Sequence, residues 1–324
     1  MPLRRRRSGS SGPVLVYAIG LTTRFRRITV REGMLVEGPA GWGEFCPFTE
    51  YDDAECVPWL AAAVEAAQEG WPEPVRDRVP VNAIVPGVSA EQAYVMVRAS
   101  GCGTAKVKVA DAPGTLAADV ERVAAVRDAL GPGGAVRVDA NAAWDVDEAV
   151  TAIRALDKAA GGLEYVEQPC PSVAELAAVR RRVDVRIAAD ESIRRAEDPL
   201  RVAVAEAADV AVLKCAPLGG VRRALVVAEA CGLPCVVSSA LQTSVGLAAE
   251  IALAGALPEL PFACGLGTGA LFTRDVVERP LVPEDGWLAV SRRAPAPVPD
   301  PVWAAPADRT AWWAARHARV RALG

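Results

Sequence analysis

The chain has 324 residues, of which 52% are apolar, with 36 basic against 40 acidic side chains and a formal net charge of -4. That length and composition allow one large barrel or two domains around a sizeable core, while the acidic balance argues against nucleic acid as a partner. No apolar run approaches the roughly 18 to 20 residues a membrane helix needs, so a cytoplasmic globular protein without a membrane partner is expected.

Residues 1–12 carry the one basic run, Arg4 to Arg7, followed by Ser8-Gly9-Ser10-Ser11-Gly12. This composition reads as a disordered leader. Residues 13–78 read as an α+β capping domain. An imperfectly alternating stretch runs from Phe25 to Val36, stops at Gly38-Pro39 and resumes over Gly41-Trp42-Gly43-Glu44-Phe45. Helical spacing then extends from about Ala54 to Glu69 and closes at Gly70 and Pro72.

From Val79 to about residue 285 the rhythm changes. Short apolar runs start near Val79, Ala105, Val136, Glu164, Ile187, Val210, Cys235 and Phe262, at intervals of 23 to 31 residues. Helical spacing occupies most intervals, as over Leu116 to Leu130, Asp147 to Lys158, Val173 to Arg182 and Val221 to Cys231. One strand plus one helix per unit predicts an α/β fold, a (β/α)8-type barrel or its close (β/α)7β-like variant. Residues 286–324 are expected to return toward the capping domain.

Polar residues gather where these runs end. Lys106 and Lys108 close the second, Asp139 and Asn141 the third, Glu167 the fourth, Asp190 and Glu191 the fifth, Lys214 the sixth, Ser238 and Ser239 the seventh. The C-terminal rim is where barrels of this type build their sites. Asp139, Asn141 and Asp190 are also good helix-capping types, which is the alternative for each taken alone. Two lysines at i and i+2 on a strand face the same side, roughly 7 Å apart along the backbone, so their charges repel unless anions stand opposite.

Asp139, Glu167 and Asp190 supply those anions. Three carboxylates on successive strands also suit a hard divalent cation, Mg2+ with Mn2+ as a substitute. With a small-molecule carboxylate bound, such a site can stabilise the charge formed when an α-proton leaves, with Lys108 on one side and Lys214 on the other. The chain has a single histidine, His317, so proton chemistry falls to Lys, Asp, Glu, Cys or Tyr. Eight cysteines without a CxxC pair read as free buried thiols, and Cys231 with Cys235 is too weak a pattern for a zinc site.

The ordered set Lys-Val-Lys at 106–108, Asp-Ala-Asn-Ala-Ala-Trp at 139–144, Glu-Gln-Pro at 167–169, Asp-Glu-Ser at 190–192 and Leu-Lys at 213–214 resembles the enolase superfamily, in its muconate-lactonizing subgroup. More narrowly, Thr23-Arg24-Phe25-Arg26, Gly-Trp-Gly-Glu-Phe at 41–45, Val-Glu-Gln-Pro-Cys at 166–170, the stretch at 188–200 and Ser-Ser-Ala-Leu-Gln-Thr-Ser-Val-Gly at 238–246 resemble the actinobacterial o-succinylbenzoate synthase family. The resemblance implies Mg2+ held by Asp139, Glu167 and Asp190, with Lys108 as the base that becomes the acid of a syn elimination. Lys214 would stabilise the enediolate and Lys106 would hold down the pKa of Lys108.

The implied reaction is dehydration of 2-succinyl-6-hydroxy-2,4-cyclohexadiene-1-carboxylate to o-succinylbenzoate, a step of menaquinone biosynthesis. An enolising site of this kind serves equally for N-succinylamino acid racemisation or dipeptide epimerisation, with the two lysines as opposed bases. Readings of a different class are a non-catalytic carboxylate-binding barrel and a Schiff-base aldolase, the latter leaving three aligned carboxylates without a job. Ser238, Ser239, Gly265 and Asn141 are expected near the substrate, although tight loops also call for small residues at such positions. Glu191 is expected to support either a lysine or the metal ligands from behind. Arg24 and Arg26 read either as lid contacts to a carboxylate or as a solvated β-edge, and Glu44 as structural. The oligomeric state is left open, a monomer being compatible.

Overall fold

The computed structural model describes residues 15–111, 114–194 and 206–324. The leader expected over residues 1–12 lies outside them, as does the end of the 188–200 motif. The chain opens on an antiparallel sheet of β1 (Leu15–Phe25), β2 (Ile28–Gly38) and β3 (Gly41–Phe45), backed by α1 (Val57–Gln68). Only the end of β1 is legible as a strand in the sequence; its partners are β2 and, far along the chain, residues 272–273 and 303–305. The helix begins at Val57 rather than near Ala54: Asp52 and Glu55 trade side-chain bonds with each other's backbone N–H in a turn, and Pro58 opens the first helical turn. Gly43 permits the close approach of β3 to α1, since a Cβ there would stand 2.0 Å from the carbonyl oxygen of Ala63.

β4 (Arg78–Pro80) then leads into a parallel sheet of β5 (Ala83–Val85), β6 (Thr104–Lys108), β7 (Ala135–Asp139), β8 (Tyr165–Glu167), β9 (Ile187–Ala189), β10 (Val210–Leu213) and β11 (Cys235–Val237), neighbours in that order. The helices between them are α2 (Ala90–Ser100), α3 (Leu116–Leu130), α4 (Val146–Ala160), α5 (Val173–Arg180) and α6 (Val221–Cys231), followed by α7 (Ser244–Ala256). Local chemistry fixes their starts: Ser89, Asp145 and Ser172 each form a capping box with a Gln or Glu three residues on. Asp145, not Asp139 or Asn141, therefore caps α4.

The run near Phe262 is not a full eighth strand. It contributes two parallel bridges, Val81 with Cys264 and Ser238 with Gly265, which span the gap between β5 and β11 and close the sheet on itself. Alternation along each strand sorts the side chains. Ala105, Val107, Val136, Val138, Val166, Ile187, Ala211 and Leu213 point outward into the core beneath the helices, while Tyr165, Ala188, Val210, Val212, Val236 and Phe262 fill the interior. No helix among the described residues is long and apolar enough to cross a membrane. All eight cysteines are free and buried.

The N-terminal sheet sits on the barrel through buried carboxylates. Glu44 accepts from the Tyr17 hydroxyl (2.5 Å), the Thr243 N–H (3.2 Å) and hydroxyl (2.6 Å), and the Gly246 N–H (2.7 Å) at the start of α7. Glu65 on α1 accepts from the N–H groups of Val221 (2.6 Å) and Arg222 (3.1 Å) at the start of α6. Both place negative charge where a helix presents unsatisfied N–H groups. Of the chain's end, β12 (Trp287–Ala289) pairs with β4 in a separate two-stranded sheet, while α8 (Ala307–Arg321) buries Trp313 against Phe45 of β3.

Candidate active site

The inward side of the barrel's C-terminal rim is polar because of register. Lys108 lies beside Asp139 and Asp139 beside Glu167 across β6, β7 and β8. Asp190 stands two residues beyond the inward Ala188 on β9, and Lys214 two beyond the inward Val212 on β10. These five groups thus follow one another round a continuous arc, with Lys108 and Lys214 at its ends and the carboxylates between. Asp139, Glu167 and Asp190 are each 1% exposed, so an unpaired charge there would be costly.

Each carboxylate is held by an ammonium. Lys106 Nζ donates to both Glu167 oxygens at 2.9 Å and lies 3.3 Å from Asp139 Oδ2. Lys108 Nζ donates to Asp139 Oδ2 at 2.5 Å and to Asn141 Oδ1 at 2.6 Å, and Lys214 Nζ donates to Asp190 Oδ2. Burial works against the charged form of Lys106, yet Glu167 and Asp139 outweigh it and raise its pKa. Lys108 goes the other way: burial, reinforced by the Lys106 ammonium, outweighs Asp139 and Glu167 and lowers its pKa. Two lysines on one strand face are therefore driven apart, one locked as a cation and the other moved toward the range of a usable base.

The carboxylates divide likewise. Burial pushes Asp139 up, but Lys108 and Lys106 together hold it below the usual range. Glu167 is pushed up by burial and by the carboxylate of Asp139, with Asp190 adding to this, against the pull of Lys106. Among the described residues no three acidic, histidine or cysteine side chains converge as metal ligands, each carboxylate being turned onto a lysine instead. The donor set nevertheless fits a hard dication: three buried oxygen donors on adjacent strands, with no imidazole or thiolate among them.

An inner chamber of about 30 Å3 is bounded by Lys106, Lys108, Asp139, Lys214, Ser238, Ser239, Leu241 and Thr268, with Phe25 and Arg26 above. It adjoins an outer cavity of about 310 Å3, lined by Arg24, Arg26, Arg27, Glu50, Asp111, Lys108 and Asn141. Arg24 and Arg26 therefore line a cavity, with Arg24 still solvent-exposed on β1. Asn141 is exposed and left-handed (φ 47), with its N–H bound to Asp139 Oδ1 at 3.0 Å, which aims its amide oxygen at Lys108. The Ser239 hydroxyl shares a 2.6 Å hydrogen bond with Thr268.

Gly265 does not border the chamber. Its N–H donates to Val237, its carbonyl accepts from Ser239, and a Cβ would stand 2.6 Å from Ser238 Oγ, so it serves barrel closure. Glu191 begins the one-turn helix Glu191–Arg194, half-buried beside Asp190.

Several contributors went unassigned in the sequence. Gln168, buried within the Glu-Gln-Pro motif, accepts from the N–H groups of Asp190 (3.0 Å) and Ser192 (3.2 Å) and so ties the ends of β8 and β9 together. Its place between two motif residues was the available signal. Phe25 puts its ring 5.5 Å from Lys108 Nζ. Arg31 carried no signal, because its hydrogen-bond partners are backbone carbonyls far along the chain, and Leu241 stood in the 238–246 motif without an assigned role.

The profile described as "Enolase C-terminal domain-like" matches residues 88–295, and "Enolase N-terminal domain-like" matches residues 16–67. The chain is 67% identical over 276 residues to the o-succinylbenzoate synthase of Thermobifida fusca (strain YX), covering 85% of this chain and 86% of that protein. It is 56% identical over 309 residues to the o-succinylbenzoate synthase of Mycolicibacterium smegmatis, covering 95% of each. Among solved structures it resembles a substrate-liganded L-Ala-D/L-Glu epimerase from Bacillus subtilis, with a TM-score of 0.73, 23% identity, and 91% of this chain and 98% of that chain covered. That last likeness bears on the fold.

Proposed function

The chain belongs to the enolase superfamily, in its o-succinylbenzoate synthase family, and from that premise we propose that it dehydrates 2-succinyl-6-hydroxy-2,4-cyclohexadiene-1-carboxylate to o-succinylbenzoate and water. The observation that carries this is the rim itself, where one lysine with a lowered pKa and one opposed lysine flank three buried carboxylates. The enzyme is then a carbon–oxygen hydro-lyase, acting in menaquinone biosynthesis. A cytoplasmic location accords with its eight free thiols.

Lys108, as the free amine, takes the proton from the ring carbon next to the carboxylate. The electron pair of that C–H bond moves into the carboxylate to give an enediolate. Lys214 offers its ammonium to the developing negative charge. The pair then returns to form the ring double bond as the neighbouring C–O bond breaks. Lys108, now an ammonium on the same face, hands its proton to the departing hydroxide, so that water leaves and the ring becomes aromatic.

Asp139, Glu167 and Asp190 would hold Mg2+, which would supply Lewis-acid stabilisation of the carboxylate's developing charge. Lys106 keeps its charge and holds that of Lys108 down. Asn141 orients the Lys108 amine through its 2.6 Å contact, and Ser238 and Ser239 supply hydroxyls to the chamber wall. Glu191 supports the Asp190 end of the arc. The arginine-lined outer cavity has the size and charge to take the succinyl carboxylate.

The test is loss of the cyclohexadiene absorbance in the presence of Mg2+, run beside racemisation of an N-succinylamino acid. Rapid loss with negligible racemisation is expected, and no loss under any metal condition refutes the reading. Racemisation or epimerisation is the second reading, favoured by Lys108 and Lys214 standing at opposite ends of the carboxylate arc where two faces of one carbon are reachable. Metal-dependent turnover of either substrate dismisses a silent carboxylate-binding barrel. Failure of borohydride to trap a carbonyl substrate on Lys106, Lys108 or Lys214 dismisses an aldolase.

A further inference from the structure

Leu241 is buried in the loop that follows β11 and adopts φ 61, the left-handed region that a branched side chain seldom enters. It is held there from both sides. Its N–H donates to Ser239 Oγ at 3.1 Å, and its carbonyl accepts from Arg31 Nε at 2.8 Å. Arg31 belongs to β2 in the capping layer and is 2% exposed. Its guanidinium also donates to the carbonyls of Ala240 (3.2 Å) and Cys46, and lies 4.3 Å over the Phe48 ring. A rigid planar cation thus grips one barrel loop from outside the barrel. The gripped residue lines the inner chamber beside Phe25, Ile84 and Ala240 and packs into the apolar cluster shared with the cap.

We propose that Arg31 is a positioning residue that sets the shape of the reaction chamber from the capping layer, and that Leu241, held in its left-handed conformation by Arg31, is the apolar wall that selects the substrate's ring. The second half of this inference rests on the function proposed above. The first half does not, since it concerns only which loop conformation the cap enforces. Without Arg31, two loop carbonyls lose their donor and Leu241 is free to relax toward ordinary backbone angles. The side chain then leaves the wall, while Lys106, Lys108 and the carboxylates stay where their own strands put them.

The experiment compares wild type, Arg31→Met, Arg31→Lys and Leu241→Gly. In Arg31→Met, amide hydrogen exchange over residues 240–243 is expected to accelerate at least tenfold with β6 unchanged. KM for the cyclohexadiene carboxylate is expected to rise about tenfold, with kcat within threefold. Arg31→Lys should recover part of the KM. Leu241→Gly, which takes the left-handed region without strain, should keep the loop's exchange protection and still raise KM; if Arg31→Met does not fold, exchange over residues 240–243 in Arg31→Lys decides the clamp, unchanged protection overturning it. Unchanged exchange in Arg31→Met overturns the clamp whatever the substrate is, and an unchanged KM in Leu241→Gly overturns the wall. Absence of turnover in wild type refutes the proposed function instead, and leaves the exchange measurement to judge Arg31.

Discussion

Replacing Lys108 separates its two properties, positive charge and transferable proton. Lys108→Ala removes an ammonium that binds Asp139 and Asn141, but Asp139 keeps Lys106 at 3.3 Å, so the buried carboxylate is not orphaned. Folding should therefore survive with a modest loss, well short of the roughly 3 to 5 kcal/mol of stripping a buried charge of its partner. Catalysis should not survive. General acid–base groups contribute about 10²- to 10⁴-fold each, and Lys108 is assigned both roles, with no substitute nearby. Lys106 is locked onto Glu167 and Lys214 is bonded to Asp190. A loss of at least about 10⁴ in kcat follows, or roughly 5.4 kcal/mol in barrier. Lys108→Arg restores the charge, but a guanidinium does not give up a proton near neutral pH, so it should stay inactive. The assay is cyclohexadiene absorbance beside solvent deuterium exchange at the α-carbon. Recovery above about 1% of wild-type rate in Lys108→Arg, or persistent exchange in Lys108→Ala, refutes the base assignment and leaves only an electrostatic role.

Asp190→Asn should weaken Mg2+ binding at least tenfold in calorimetric titration with the metal alone, and equal affinity would remove Asp190 from the ligand set. Glu44→Gln keeps one acceptor and sets an NH2 against donors that now face a carboxylate, a cost of about 3 kcal/mol that should lower Tm by roughly 4 °C. A Tm within 1 °C of wild type would show that Glu44 does not anchor the cap. Glu250, fully buried beneath the β10 end, is raised by burial to about 7 from 4.5. Its folded form binds a proton that the unfolded chain has released, so stability falls as pH rises between those values, by up to about 3 kcal/mol. Relative to Glu250→Gln, wild type should lose ground in urea unfolding between pH 4.5 and 7 and stay level above; parallel profiles contradict the shift.

The barrel and most of its rim were legible because both rest on short-range rules. Period-2 alternation put Lys106 with Lys108 on one face, and helical spacing gave Leu116–Leu130 and Val221–Cys231 with the ends they have. What the sequence hid depends on partners distant along the chain. Glu44 meets Thr243 and Gly246, about two hundred residues on, and Arg31 meets Leu241 at a like separation. In both cases backbone groups take part, and they leave no mark in residue identity. The eighth strand faded for a related reason, since two bridges at Cys264 and Gly265 suffice to close the sheet. Gly265 was expected at the substrate because it is small and sits at a strand end. It is small because Ser238 occupies the space a side chain would need.

The pairing of lysines with carboxylates bears on the order in which the site fills. Lys106, Lys108 and Lys214 balance Asp139, Glu167 and Asp190, so the chamber is near neutral on its own. Mg2+ by itself would bring two positive charges among three buried ammonium groups, and a dicarboxylate by itself two negative charges among the acids, each against a low-dielectric background. Together they restore neutrality. Metal and substrate should therefore bind with positive coupling, each raising the other's affinity by the same factor. The same balance explains why a lysine pair that looks costly on one strand is tolerated: Lys106 is neutralised by Glu167 and Asp139, while Lys108, although bonded to Asp139, has its pKa lowered first by burial and then by the Lys106 charge.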